Sequence, residues 1–204
     1  MLGIRKSQTK STSQTDVGGS TLWISELFKS QSDDACKTLG MISGSKQNCD
    51  PNCITNIARQ VSGCAAELGD NRSLVVHLDV FLSKETDRLL DQPAGIPPTT
   101  RSPLGNWRDV TIPMPVGFEA SWSLLQIPSW LSSWRSQFGV ILIDLGPCHL
   151  VPARSIGRLC GANVVLIGPS ATASREWLAS HLDHLRESGV SVAGSILASR
   201  ASAA

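Results

Sequence analysis

Apolar residues recur along this chain in two rhythms, short unbroken runs and longer stretches at helical spacing. The runs are Thr38–Ser43, Leu74–Phe81, Gly139–Asp144, Asn163–Gly168 and Val190–Ala198. They are short and carry no regular polar alternation, the mark of strands buried on both faces. The clearest helical pattern places Ile54, Ile57, Ala58, Val61, Cys64, Ala65 and Leu68 on one face. Asp50 suits its N-cap, Pro51 its first position and Gly69 its exit. Ala120–Phe138 reads as a helix broken at Pro128, with Trp122, Leu125, Trp130, Leu131 and Trp134 toward a sheet. Ala153–Cys160 reads as a short helix. Ser174–Ser188 reads as a longer one, with Trp177, Leu178, Leu182 and Leu185 on one face and Gly189 closing it. Strands alternating with helices of roughly 10–15 residues predict an α/β domain over 36–200. Its architecture is three-layered, a mostly parallel sheet with helices on both faces.

Two stretches fall outside that rhythm. Residues 1–20 are rich in Ser, Thr, Gln, Lys and Gly and are expected to form a flexible polar arm, mildly basic through Arg5, Lys6 and Lys10. Leu22, Trp23, Leu27 and Phe28 then predict a short docking helix, with a turn at Ser32–Asp34 completing a 21–35 unit. Residues 91–117 hold six of the eleven prolines and predict a long irregular excursion. Within it Val110–Val116 is either an edge strand or no strand, because Pro113 and Pro115 cannot donate to a ladder.

Composition narrows the function. The chain has 204 residues, is 41% hydrophobic and carries a net charge of +1, which argues against a dedicated nucleic-acid surface. The six cysteines sit mostly in apolar runs and read as reduced thiols. No run is long enough to span a membrane and no signal-peptide pattern opens the chain, so the expectation is a cytoplasmic protein, at most peripheral to the inner membrane. No G-x-S-x-G elbow supports a serine hydrolase. Cys49 and Cys53 with Cys36 or Cys64 lack the usual zinc spacing. His181 and His184 read as an exposed helix face rather than a metal site.

Ligands of open parallel sheets bind at the carboxyl ends of the strands. Three such ends stand out: Ser43-Gly44, Asp79 and Asp144. The first leads through a polar loop into the best helix, the layout of a phosphate-binding loop. The run Phe138-Gly-Val-Ile-Leu-Ile-Asp-Leu-Gly-Pro147 resembles the Walker B strand of the MinD/ParA-like P-loop ATPases. It is most similar to the bacterial tyrosine-kinase branch associated with exopolysaccharide biosynthesis, where the strand runs F-D-x-V-I-I-D-T-P-P. Gly161–Gly168 and Gly189–Gly194 resemble the following strands of that family. The resemblance implies a P-loop NTPase-like fold across about 36–198.

Laid on the signature G-x-x-x-x-G-K-S/T, only Gly44 matches. Cys49 stands for the second glycine, Asp50 for the lysine and Pro51 for the hydroxyl residue, with Asn52 following. A Cβ intrudes, an anion replaces a cation, and one N–H and one Mg²⁺-binding hydroxyl are gone. Asp50 also fills the anion site that a helix N-terminus creates. His77 replaces the first acid of the family's second strand, Asp79 matches the next, and Ala198 replaces the base-contacting Asn. With no tyrosine anywhere in the chain, the family's C-terminal tyrosine cluster is missing. The resemblance thus implies two readings. In the first, a pseudo-ATPase or pseudokinase needs no cofactor and binds a protein, either a polysaccharide-export or co-polymerase component or a second copy. In the second, a divergent ATPase or trans-acting tyrosine kinase uses ATP and Mg²⁺, with Asp144 and Asp79 as catalytic or metal-binding acids.

Overall fold

The computed structural model describes residues 24, 26–28, 36–47, 50–67, 72–81, 95–115, 120–168 and 174–197. Seven strands form one sheet: β1 (Lys37–Ser43), β2 (Ser73–Phe81), β3 (Thr100–Arg101), β4 (Arg108–Pro115), β5 (Val140–Pro147), β6 (Ala162–Ile167) and β7 (Val192–Leu197). Their order is β3-β4-β2-β5-β1-β6-β7, and every pairing is parallel except β3 with β4. Among the described residues, Ile24 and Glu26–Phe28 are helical, and the helices with described bounds are α1 (Pro51–Glu67), α2 (Ala120–Arg135), α3 (Val151–Ser155) and α4 (Arg175–Glu187). The expected three-layer α/β architecture is the observed one.

Period-2 alternation sorts each central strand onto two faces. Leu74, Val76 and Leu78 of β2, Val110 and Ile112 of β4, and Ile141, Ile143 and Leu145 of β5 pack with α2, α3 and α4. Val75, Val140 and Leu142 point the other way and pack with Ile54, Ile57, Ala58 and Val61 of α1. Ile24 and Phe28 are buried in that second cluster, with Leu27 packed against it. Leu22 and Trp23, and the arm before them, lie outside the described residues.

Several expectations change. Helix α2 runs unbroken through Pro128. Ile127, Trp130, Leu131 and Trp134 are all buried at i, i+3, i+4 and i+7, and that anchorage on both sides of the proline outweighs one lost backbone bond. Leu125 is out of phase with this stripe and is 75% exposed, not packed on the sheet. The region Ala153–Cys160 divides into α3 and a 3-10 turn, Gly157–Leu159. The proline-bearing segment is a full strand, β4, paired with β2 from Arg108 to Pro115. It is not the sheet edge, because β3 pairs with Arg108 and Asp109. Pro113 and Pro115 lie past that short cover, where β3 has no ladder to break. At the other edge, β7 is mostly exposed, with Leu197 at 77%. Gly189 closes α4 with φ +81, a conformation that suits glycine.

Candidate functional site

The carboxyl edge of the sheet has two neighbouring features, the loop from β1 to α1 and a cavity beside it. The loop bonds to itself and to the sheet. The Gly44 N–H donates to Leu166 O at 2.8 Å, as a continuation of the β1–β6 ladder. A Cβ at Gly44 would come within 3.1 Å of Val165 Cγ1, so the glycine serves close packing against β6. The Ser45 N–H donates to Ser43 Oγ at 3.3 Å, and the Gln47 N–H to Ser45 Oγ at 3.1 Å. At the helix start the Asn52 N–H donates to Asp50 Oδ1 at 2.9 Å, and the Ile54 N–H to Asp50 O at 3.1 Å. Asp50 is therefore the N-cap of α1, as its side chain and position predict. Lys46 Nζ lies 5.9 Å from the centre of the Trp177 ring, within cation–π reach. Trp177 in turn stacks with His181, ring centroids 4.1 Å apart. Cys49 lies outside the described residues.

The cavity, of about 360 Å³, opens between the first turns of α1 and the face that β2, β4 and β5 turn toward it. Strand parity explains which side chains reach it. His77 and Asp79 share the face of Val75; Asp109 and Thr111 oppose that of Val110; Asp144 shares that of Leu142. In register, His77 stands beside Asp144 on one side and Thr111 on the other. Trp107, 5% exposed, forms a wall and donates from Nε1 to Asp109 Oδ1 at 2.8 Å. His77 Nε2 is 3.7 Å from that same oxygen, an electrostatic contact longer than a hydrogen bond. Gly105 lies under the Trp107 ring, where a Cβ would come 1.7 Å from Cζ3. Ser62 Oγ donates to Asn106 O at 3.0 Å and ties this loop to α1.

Asp144 is only 8% exposed. One carboxylate oxygen accepts the Gly146 N–H at 3.1 Å, across a turn in which Gly146 has φ 69. Burial pushes its carboxyl above the usual range, with the Gly146 N–H and His77 pulling back. No lysine or arginine among the described residues pairs with it.

The structure thus brings Asp144, Asp79 and Pro51 together around one cavity, whereas Gly44, Asp50 and Asn52 do not line it. Asp79 is not the end of its strand, since β2 continues to Phe81. The sequence reading missed Trp107, Asp109 and Thr111. Their D-x-T alternation in β4 was the available signal, hidden by the prolines that follow. Among the described residues, no group of three His, Cys, Asp or Glu side chains is arranged to hold a metal ion. Nor is any described helix long and apolar enough to cross a membrane.

No protein-family model and no curated protein sequence matches the chain. Solved structures do match in fold. The kinase domain of Escherichia coli tyrosine kinase ETK aligns with TM-score 0.63 at 17% identity, over 90% of this chain and 76% of that one. The BceF tyrosine kinase domain aligns with TM-score 0.63 at 18% identity, over 87% and 73%. The cell division ATPase MinD of Pyrococcus furiosus aligns with TM-score 0.50 at 16% identity, over 79% and 71%. The chain therefore has the P-loop NTPase-like fold that bacterial tyrosine-kinase domains and MinD share.

Proposed function

We propose that this chain is a P-loop-fold protein without nucleotide chemistry, a pseudo-ATPase or pseudokinase that works by binding a protein partner. The observation that carries this reading is the internal bonding of the loop. The N–H groups of Gly44, Ser45, Gln47 and Asn52 are all spent on acceptors within the protein. A phosphate cradle needs such donors turned outward toward the anion. Pro51 supplies neither an N–H nor a hydroxyl, and Asp50 sets a carboxylate at the helix end where phosphate would sit. Mg²⁺ and ATP therefore do not fit the residues present. The resemblance to kinases of exopolysaccharide biosynthesis supports polysaccharide synthesis or export as the setting, with an export or co-polymerase component or a second copy as partner.

Retention of Asp144 at the Walker B position favours the rival reading, a divergent ATPase or trans-acting tyrosine kinase. Calorimetric titration with Mg·ATP separates the two. The expected result is no saturable heat; micromolar affinity would sink the pseudoenzyme reading. The triple change Cys49→Gly, Asp50→Lys, Pro51→Ser is expected to recover measurable ATP binding, because the surrounding sheet and helix already have the right fold.

A further inference from the structure

The cavity beside the loop is lined by carboxylates. Asp79, Asp109 and Asp144 line it, with His77 between them, and no lysine or arginine lines it among the described residues. Three carboxylates alone would make an unremarkable acidic patch. Here they surround a concavity of about 360 Å³, within the roughly 300–1,000 Å³ of small-ligand sites. Asp144 is more than nine-tenths buried at its base, bonded to one backbone N–H and, among the described residues, paired with no lysine or arginine. The Trp107 N–H fixes the Asp109 carboxylate at 2.8 Å. The remaining walls include the apolar Ile54, Ala58, Leu104 and the Trp107 ring. Leu104 is 58% exposed.

We infer that this cavity receives the side chain of an arginine presented by a protein partner. This inference rests on the partner-binding reading above. An arginine has a long apolar stem and a planar cationic head, and the cavity offers apolar walls with carboxylates around and beneath them. Its fork of N–H donors satisfies two carboxylates at once, which a spherical ammonium does less well. The buried Asp144 charge, destabilising while alone, gains a counter-ion in the complex. A divalent metal is the poorer occupant: His77 separates the acids, and no metal-holding group of three forms among the described residues.

The test uses the full chain and the blocked peptide Ac-Gly-Ala-Arg-Ala-Gly-NH2, followed by calorimetry and by the indole N–H signals in a ¹⁵N–¹H NMR spectrum. The expected result is saturable binding that moves the Trp107 indole signal, which Trp107→Phe assigns. Affinity should fall at least about tenfold, near 1.4 kcal/mol, when citrulline replaces arginine, and likewise in Asp144→Asn. Asp109→Asn provides a second variant should the first lose its fold. Equal binding of the citrulline peptide, tighter binding of the lysine peptide, or unchanged affinity in both variants overturns the inference. So does equal affinity for free n-butylguanidinium, which would make the site one for a small cation. Shifts reproduced by MgCl₂ alone at lower concentration would make it a metal site and overturn it too. Mg·ATP is titrated in parallel. Binding of ATP ends the pseudoenzyme reading, whereas silence from both ATP and peptide ends only this inference.

Discussion

The loop after β1 and the cavity beside it lie on the same edge of one sheet, yet they handle polar groups in opposite ways. In the loop, acceptors of the protein take up the N–H groups of Gly44, Ser45, Gln47 and Asn52. In the cavity, a nearly buried carboxylate has neither a lysine nor an arginine partner among the described residues. A polar group satisfied internally adds stability and leaves nothing for a ligand. A buried charge left without a counter-ion lowers stability and leaves its attraction for a ligand intact. The difference teaches that polar groups on one face of a sheet can be satisfied locally in one place and left in want of a counter-ion a few residues away, beside β2, β4 and β5.

The largest expected effect tests whether the cavity wall is also structural. Trp107→Ala should cost about 3–5 kcal/mol, the range for truncating a buried aromatic. Urea unfolding measures it, and a loss under about 1 kcal/mol would mean that the cavity side is loosely built. Gly105→Ala should act in the same direction by displacing the Trp107 ring, at about 1–3 kcal/mol. On the loop side, Asp50→Ala should cost about 1 kcal/mol through loss of the α1 cap. It should leave the arginine-peptide affinity unchanged, since Asp50 does not line the cavity. A change in both would join the two regions into one.

Asp144→Asn should act the other way and raise stability at neutral pH. The folded protein holds this carboxyl above its ordinary value of 3.8, chiefly through burial. The protonated form is favoured by folding, so the contribution is fully present below the unfolded pKa and is lost as pH rises through the folded one. The gain in the asparagine variant should therefore be greatest above the folded pKa and vanish below about pH 3.8. Urea midpoints across pH 3–7 check the sign. A less stable variant at pH 7 would show that Asp144 has a stabilising partner after all.

The smallest effect concerns two buried thiols, one of them next to the β1–α1 loop. Burial pushes Cys148 up to about 11 and Cys160 up to about 12. Both should resist a thiol reagent at pH 8, because the reactive thiolate is scarce. Mass-resolved labelling should find them modified only as fast as the protein unfolds. Fast native labelling of Cys148, whose N–H donates to Ser43 O at 2.9 Å, would show that the loop side opens readily.

Local patterns in the chain foretold most of the elements, because each depends on spacing between near neighbours. The α1 stripe, its Asp50 cap and the apolar runs of β1, β2, β5 and β6 required no knowledge of the fold. The errors arose where long-range packing overruled a local signal. Pro128 is a helix breaker in isolation, but Ile127, Trp130, Leu131 and Trp134 bury α2 on both sides of it. Pro113 and Pro115 argue against a strand, but β4 finds β2 along its whole length.

By itself the sequence determined the strand–loop–helix joint at Gly44–Pro51 and the Asp50 cap that opens its helix. Only the tertiary structure decided that Asp109, inside the proline-rich excursion, would stand near His77 and share a cavity with Asp144 and Trp107. That meeting depends on strand order, with β2 seated between β4 and β5. Order in a sheet is set by the burial of whole faces across distant segments, which no local period encodes.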